Sequence, residues 1–388
     1  MKAKLPGPDA GEPSAALATG RASHSGPVTI LYIEPIGVRG GMGGYNDGLV
    51  AAYAEAGARL DVVTSSRDAS FGDQVRMHAS RLFGFAMDRS KARAFRALSY
   101  ACGYVGCLRL ARRADIVVIH FLHLPAIDRL AIKGFRRLGC RLVLVAHDPQ
   151  PVLSGQRGPT YERCLRLFDL VVVHGPKARA DIVAQGVPDT KVVVAPHGDF
   201  RAVAPLDPAV ALNALGLAGL ARPTAAIIGN MKPGKGIQRA REALEVPGTP
   251  VRTLLVAGSR QGTWDLQSAL RPSGDSRLQV VQVDRRMSDH EERAAYSLAD
   301  VVLALYESGY SSGVIARAHS MGKPVVLTNV GDLVLQGHTD DVVVAADYTA
   351  AELREAIARC LRKRVEAPTV WDCEAWRHHA GSVLARLG

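Results

Sequence analysis

The chain has 388 residues, 47% hydrophobic and 22% charged, with 38 Gly and 21 Pro scattered without a period. That composition excludes a disordered chain, a collagen and a repeat array, and the length is sufficient for two domains. Lys and Arg number 48 against 37 Asp and Glu, a net charge of +11, so the surface attracts phosphates, whether of nucleotides, nucleic acid or anionic lipid.

Residues 1–26 are rich in Pro, Gly, Ala and Ser and are expected to form a disordered leader. They carry no apolar core of a secretory signal. No stretch reaches the roughly 18 apolar residues of a membrane span. Six Cys stand at 102, 107, 140, 164, 360 and 373, none in the C-x2-C spacing of a zinc site. A reduced, cytoplasmic protein is the expectation.

A first series of β-branched runs follows: VTILYI (28–33), RLDVVT (59–64), DIVVIH (115–120), RLVLVAH (141–147), DLVVVH (169–174) and KVVVAP (191–196). Continuous apolar strands separated by helix-period segments predict a parallel sheet covered on both faces. Residues 201–222 show Pro, Ala and Gly but no strand. A second series then runs TAAIIG (224–229), TLLVAG (253–258), LQVVQV (278–283), DVVLALY (300–306), KPVVLT (323–328) and DVVVAA (341–346). The pattern predicts an α/β protein of two βαβ-type domains, 27–200 and 223–370, joined by a linker at 201–222. The last segment, 371–388, has helical spacing of Trp371, Trp376, Val383 and Leu384.

Ligands of open α/β sheets bind beyond the carboxyl ends of the strands. After the first strand comes GVRGGMGGYNDG (37–48), with Gly37, Gly40, Gly41, Gly43 and Gly44. Such a loop lets backbone amides approach a phosphate or sugar, or simply makes a tight strand-to-helix turn. Its spacing is not G-x-G-x-x-G, because position 46 is Asn. The second domain offers GNMKPGKG (229–236), with Asn230, Lys232 and Lys235 before a helix, and ESGYSSGVIARA (307–318), with Glu307, Ser308, Ser311, Ser312, Gly313 and Val314. Two helix N-termini facing one cleft, one carrying a lysine, suit a diphosphate; an exposed loop and plain N-capping are the alternatives. The first domain places His120, His123, His147, His174 and His197 at or near strand ends. His147, followed by Asp148, ranks highest, because a neighbouring carboxylate can orient an imidazole. No histidine pair has the helical spacing of a metal site.

These motifs, in this order, resemble those of GT-B glycosyltransferases, most closely glycosyltransferase family 4. The resemblance rests on GGMGGY, the His-Asp after a first-domain strand, PHG before the linker, GNMKPGKG, and the DVVLALY…SSG…GKPVV block, and covers about residues 28–386. It implies two Rossmann-like domains facing a central cleft, with the final helix crossing back to the first domain. It implies transfer of a sugar from a nucleoside-diphosphate sugar to a hydroxyl acceptor with retention of anomeric configuration. It implies no metal and no cofactor beyond the donor. Carried over by position, Lys235 matches the diphosphate lysine and Gly43 and Gly44 match the loop near the donor, with Gly41 beside them. His147 matches the histidine near the reacting sugar, and Ser312, Gly313 and Val314 match the diphosphate cradle, which Ser311 adjoins. His120 and His174 are placed on the acceptor side.

Two features depart from the family pattern. Asn230 stands where the family has an arginine. Arg317 and Gly309 stand where it has paired glutamates; Glu307, two residues away, is expected to act in catalysis with His147, and Asn230 and Arg317 are expected on the donor. A silent binding subunit and a GT-B sugar-nucleotide epimerase are therefore the alternative functions. Segment 76–113 has nine Lys or Arg, one acid and interleaved Phe83, Phe85, Phe95, Leu98 and Tyr100. It is either a solvated helical face or a peripheral dock on anionic membrane for a lipid-linked acceptor. No zinc, RNP or helix-turn-helix signature supports nucleic-acid binding.

Overall fold

The computed structural model describes residues 26–37, 41–65, 73–88, 90–149, 158–262, 264–271, 277–363 and 371–387. The expected leader therefore lies, but for Gly26, outside the described residues, as do Gly40 and Arg89. Two parallel sheets form. The first orders its seven strands β3-β2-β1-β4-β5-β6-β7. These are β1 (Thr29–Glu34), β2 (Arg59–Thr64), β3 (Val75–Ala79), β4 (Ile116–Ile119), β5 (Arg141–Val145), β6 (Leu170–Val173) and β7 (Val192–Val194). The second orders six strands β10-β9-β8-β11-β12-β13. These are β8 (Thr224–Ile228), β9 (Thr253–Ala257), β10 (Gln279–Val283), β11 (Val301–Ala304), β12 (Val325–Thr328) and β13 (Val342–Val344). In both, the strand order reverses beside the first strand of the domain, which opens a crevice at that point.

Each sheet is packed on both faces. Leu31, Ile33, Val117, Ile119 and Leu144 point to one side of the first sheet, and Ile30, Tyr32, Val118, Val143 and Val145 to the other. Thus each strand is apolar at successive positions, as a strand covered twice must be. The edge strands are less covered. Residues VRMHA of β3 are half-buried or exposed and lack an apolar run, and in β10, QVVQV, only Val283 is buried.

The helices are α1 (Met42–Glu55), α2 (Arg81–Met87), α3 (Arg93–Ala111), α4 (Pro125–Arg137), α5 (Pro159–Leu165), α6 (Pro176–Ala184), α7 (Pro208–Leu215), α8 (Ile237–Leu244), α9 (Leu266–Leu270), α10 (Asp289–Leu298), α11 (Gly313–Ser320), α12 (Ala350–Arg362) and α13 (Glu374–Leu387). The expected linker contains α7, capped by Asp207 at Ala209 N and closed by Gly216 at positive φ. Ala211 and Leu215 of α7 join the core of the second domain. Val203 N–H donates to Ser320 O and Leu206 N–H to Ser297 Oγ, so the segment after about residue 202 belongs to that domain.

The final helix α13 crosses back to the first domain, as expected. Trp376 is fully buried, and a methyl group on Gly48 or Gly198 would lie 2.4 or 2.3 Å from its ring. The indole N–H groups of Trp371 and Trp376 both donate to the carbonyl of Asp199, at 2.9 and 2.8 Å. Among the described residues no helix is long and apolar enough to cross a membrane.

Candidate active site

The carboxyl ends of the two sheets face each other across a cleft of about 1700 Å³. From the first domain come His120, Phe121, His123 and His147 at strand ends and Arg81, Phe85 and Arg96 of α2 and α3. From the second come Gly229, Asn230, Ser259, Arg260 and the segment around Arg286 to Glu292. Beside the cleft the domains touch. Asp332 of the second domain accepts the Lys177 and Ala178 N–H groups at the start of α6, at 2.9 and 2.8 Å. Its carboxylate thus satisfies free donors of a helix N-terminus in the other domain. Tyr310 OH donates to Asp181 at 2.6 Å next to it.

One corner gathers the motifs of the second domain. A methyl on Gly229 would stand 3.2 Å from the Val314 side chain and 3.7 Å from Lys235 Nζ. Lys235 is 8% exposed. Its Nζ donates to the Tyr306 hydroxyl at 3.1 Å, and that hydroxyl pairs with Ser312 Oγ at 2.9 Å. Among the described residues Lys235 has no ion-pair partner. A buried ammonium held only by a neutral phenol lacks compensation for its lost hydration, so an anion is strongly favoured beside it. Gly313 and Val314 open α11, where the first amides have no acceptor within the helix. Ser312 N–H differs: it already donates to the Gln336 side chain at 2.6 Å. From the first domain Gly41 closes the corner. It has φ 87°, and a methyl there would lie 3.2 Å from Gly313 Cα.

The glycine loop is held from below by Glu34, which is fully buried. Its carboxylate accepts Ile36 N–H and Gly37 N–H, both at 2.7 Å, and the Asn46 amide at 3.0 Å. Burial pushes the Glu34 carboxyl up to about 7, against these three donors, which lower it. Gly43 lies in the first turn of α1. Gly44 packs under Phe200, whose ring would stand 2.7 Å from a methyl at that position.

His120 and His147 line the cleft, with His120 Nδ1 and His147 Nε2 3.0 Å apart. His174 sits behind them, its Nδ1 on the Ala195 carbonyl at 2.9 Å and its Nε2 3.3 Å from Tyr45 OH. The Tyr45 ring is the hub: it meets His147, His174, His197 and Trp376 edge-on, with centroids 4.5 to 5.5 Å away. His379 of α13 completes the row, and among the described residues neither of its ring nitrogens has a hydrogen-bond partner. Burial keeps all five imidazoles neutral. It lowers His120 and His197 to about 3 and His174 to about 4, with neighbouring histidines adding to the effect at His120 and His197. His147 and His379 are driven well down by burial and by the same neighbours. His147 is therefore a neutral hydrogen-bonding group and not a cationic acid.

The other predicted residues are spread along the second domain. Asn230 faces the cleft and accepts from Ser259 Oγ at 3.4 Å. Glu307 is exposed and lies 3.6 Å from where a methyl on Gly234 would sit, across from the Lys235 loop. Ser311 is half-buried just before the helix cap. Arg317 is not among the cleft-lining residues: its guanidinium lies 5.3 Å over the Phe200 ring, on the face that meets α1. Glu34, Tyr45, Tyr306, Asp332, Gln336 and His379 were not predicted. Of these, Tyr45 ends the predicted GGMGGY loop and Tyr306 closes the DVVLALY strand motif.

Residues 39–198 match the family model described as Glycosyltransferase Family 4, and residues 222–363 match the one described as Glycosyl transferases group 1. The two matches fall on the two sheets in the order the motifs imply. The protein is thus of the GT-B glycosyltransferase class. Within that class it resembles family 4. Solved structures of the same fold include a sucrose-phosphate synthase from Thermosynechococcus elongatus, 18% identical over 93% of this chain and 94% of that one, with TM-score 0.59. HepE (Alr3699) of Anabaena in complex with UDP-glucose is 15% identical over 92% and 100%, with TM-score 0.61. The catalytic domain of starch synthase IV from Arabidopsis thaliana, bound to ADP and acarbose, is 12% identical over 94% and 99%, with TM-score 0.60. No curated protein sequence matches the chain.

Proposed function

We propose that the protein transfers a sugar from a nucleoside-diphosphate sugar to a hydroxyl acceptor, with retention of configuration and without a metal in the transfer step. The observation that carries the reading is the buried Lys235, without an ion-pair partner among the described residues, at the junction of Gly229, Val314 and Tyr306. An ammonium and the first amides of α11 together suit a diphosphate. They would stabilise charge developing on it as the sugar leaves. In the retaining reaction that the family resemblance implies, the departing phosphate oxygen takes the acceptor proton, so no strong side-chain base is required. A neutral His147 beside the cleft then serves to position the sugar or acceptor.

Lys235→Ala tests the assignment. It should weaken binding of a nucleoside diphosphate by about tenfold or more, the scale of a charge-assisted contact of 1.5–3 kcal/mol. Binding of the nucleoside alone should barely change. Thermal-shift titrations with UDP, GDP and ADP against their nucleosides would read this out, since a ligand of the native state raises the midpoint by mass action. Equal loss for both ligand types would refute it.

The acceptor reading draws on α2 and α3. Leu82, Phe85, Phe95 and Leu98 are 40 to 64% exposed, and Phe85 with Arg81 and Arg96 also lines the cleft. Apolar rings beside arginines suit an amphipathic, lipid-linked acceptor presented at an anionic surface, with the protein peripheral on the inner membrane face. Flotation with vesicles rich in anionic lipid, compared with neutral ones, tests it; Phe85→Ser with Leu98→Ser should abolish any flotation.

A further inference from the structure

On the side of the domain interface where the chain crosses over lies a second cluster, outside the residues that line the cleft. It comprises Asp199 of the first domain and His319 and His338 of the second. One ligand atom from each lies within 4.8 Å of those of the other two. His338 Nε2 and Asp199 Oδ2 are already 3.2 Å apart. His319 is set up as a ligand. It is 7% exposed, its Nε2 is fixed to the Asp341 carboxylate at 2.8 Å, and its buried Nδ1 has no hydrogen-bond partner among the described residues. Asp341 is itself held by the Val325 N–H, at 2.8 Å, and by the His338 N–H, at 2.7 Å. A carboxylate on the far nitrogen of an imidazole fixes the tautomer and raises the basicity of the other nitrogen, the outer-shell arrangement of metal-bound histidines. Asp199 is anchored as well, since both indoles of the crossover segment donate to its carbonyl.

We propose that Asp199, His319 and His338 bind one divalent transition-metal ion, with Zn²⁺ the best fit, and that this ion ties the two domains together. Two imidazoles and a carboxylate match the ligand preferences of Zn²⁺, with water as the fourth ligand. Ligand atoms around such an ion stand about 3.3–3.5 Å apart, given bonds of roughly 2.0–2.2 Å. The Asp199–His338 side, at 3.2 Å, is just short of that spacing. The His338 ring is stacked on His319, with centroids 3.7 Å and planes 14° apart, so it must tilt for both rings to point at one ion. His338 is the partner that can move: its side chain is 44% exposed, against 5% for His319. Because the ligands come from both domains, the ion stabilises their contact and opposes opening at this edge. The site is independent of the transfer chemistry proposed above, and its test does not use activity.

The full chain, freed of metal by chelation and dialysis, is titrated with Zn²⁺ in equilibrium dialysis, and its thermal midpoint is followed alongside. We expect one Zn²⁺ per chain and a rise of the midpoint with Zn²⁺ concentration. His338→Ala and Asp199→Asn each retain the metal-free midpoint, bind Zn²⁺ at least tenfold more weakly and lose the rise. Asp341→Asn loses about 10–100-fold in affinity, as removal of an outer-shell partner does. Absence of binding to the parent chain would overturn the proposal. So would binding of equal strength in His338→Ala and Asp199→Asn, which would place the metal on other histidines.

Discussion

Acid should unfold this protein from the first domain, because its histidines are buried neutral. In the unfolded chain an imidazole takes a proton near pH 6.5, whereas His120, His197, His174 and His123 do so only near 3 to 4 in the fold, and His147 and His379 are also held far down. A depressed histidine contributes stability that is present above about pH 6.5 and is lost as pH falls, since the unfolded chain then binds protons that the native one does not. Two carboxyls oppose this. Glu34 and Asp128 are raised to about 7 by burial, so the native state holds protons there that the unfolded chain has released. At about pH 5.5 the unfolded chain then carries an excess of roughly three to four protons, a slope of about 4–5 kcal/mol per pH unit. With a typical stability of about 5–15 kcal/mol, the fold should fail within one to three units below pH 6.5. Asp332 beside His174 and Asp199 beside His197 moderate the slope by favouring the charged imidazoles. Urea unfolding at a series of pH values, followed by Trp fluorescence, measures it. Trp376 packs against Tyr45 and His197 and reports on the cluster directly. His379→Leu should flatten the slope by about one proton, or 1.4 kcal/mol per pH unit. Stability that is constant or rising from pH 7 to 5.5 would refute the reasoning.

His147→Ala should lower kcat by about 10² or more with nucleotide binding intact, the scale of losing one positioned contact; near-normal turnover would leave the residue structural. Gly48→Ala should destabilise the protein by about 1–3 kcal/mol in urea unfolding, because its methyl would overlap the Trp376 ring. Asp332→Ala should loosen the contact between the domains by leaving the α6 amides without their acceptor. Small-angle scattering should then show a larger radius of gyration, and an unchanged profile would count against the clasp.

The strands of both sheets were legible because their residues are buried on two faces and so form continuous apolar runs. β3 escaped because an edge strand with Arg76 and His78 has no such run. α7 escaped because Pro, Ala and Gly around it dilute any helical period, while its real signal is the Asp207-Pro208 start and the Gly216 stop. Lys235, Gly41, Ser312 and His147 were legible because each follows a strand, where an α/β sheet opens to ligand. Glu34 was not, since its partners Asn46 and the loop amides are recognisable only once the turn is formed. Asp332 and Asp199 act on residues more than a hundred positions away, and no local pattern announces such a pairing.

The crossing of α13 also sets the order in which the protein can be completed during synthesis. The second domain is one contiguous stretch and can close its core once β13 and α12 have left the ribosome. The first domain emerges earlier, yet the space between Gly48 and Gly198 stays unfilled until Trp376 arrives, after the whole of the second domain. Domains usually mature in the order in which they are made. Here the order is inverted: of the two domains, the one translated first is sealed second. Its apolar surface around Tyr45 and Phe200 has to be shielded until residue 376 has been made, and a chain truncated before that residue would leave it exposed while the second domain folds normally.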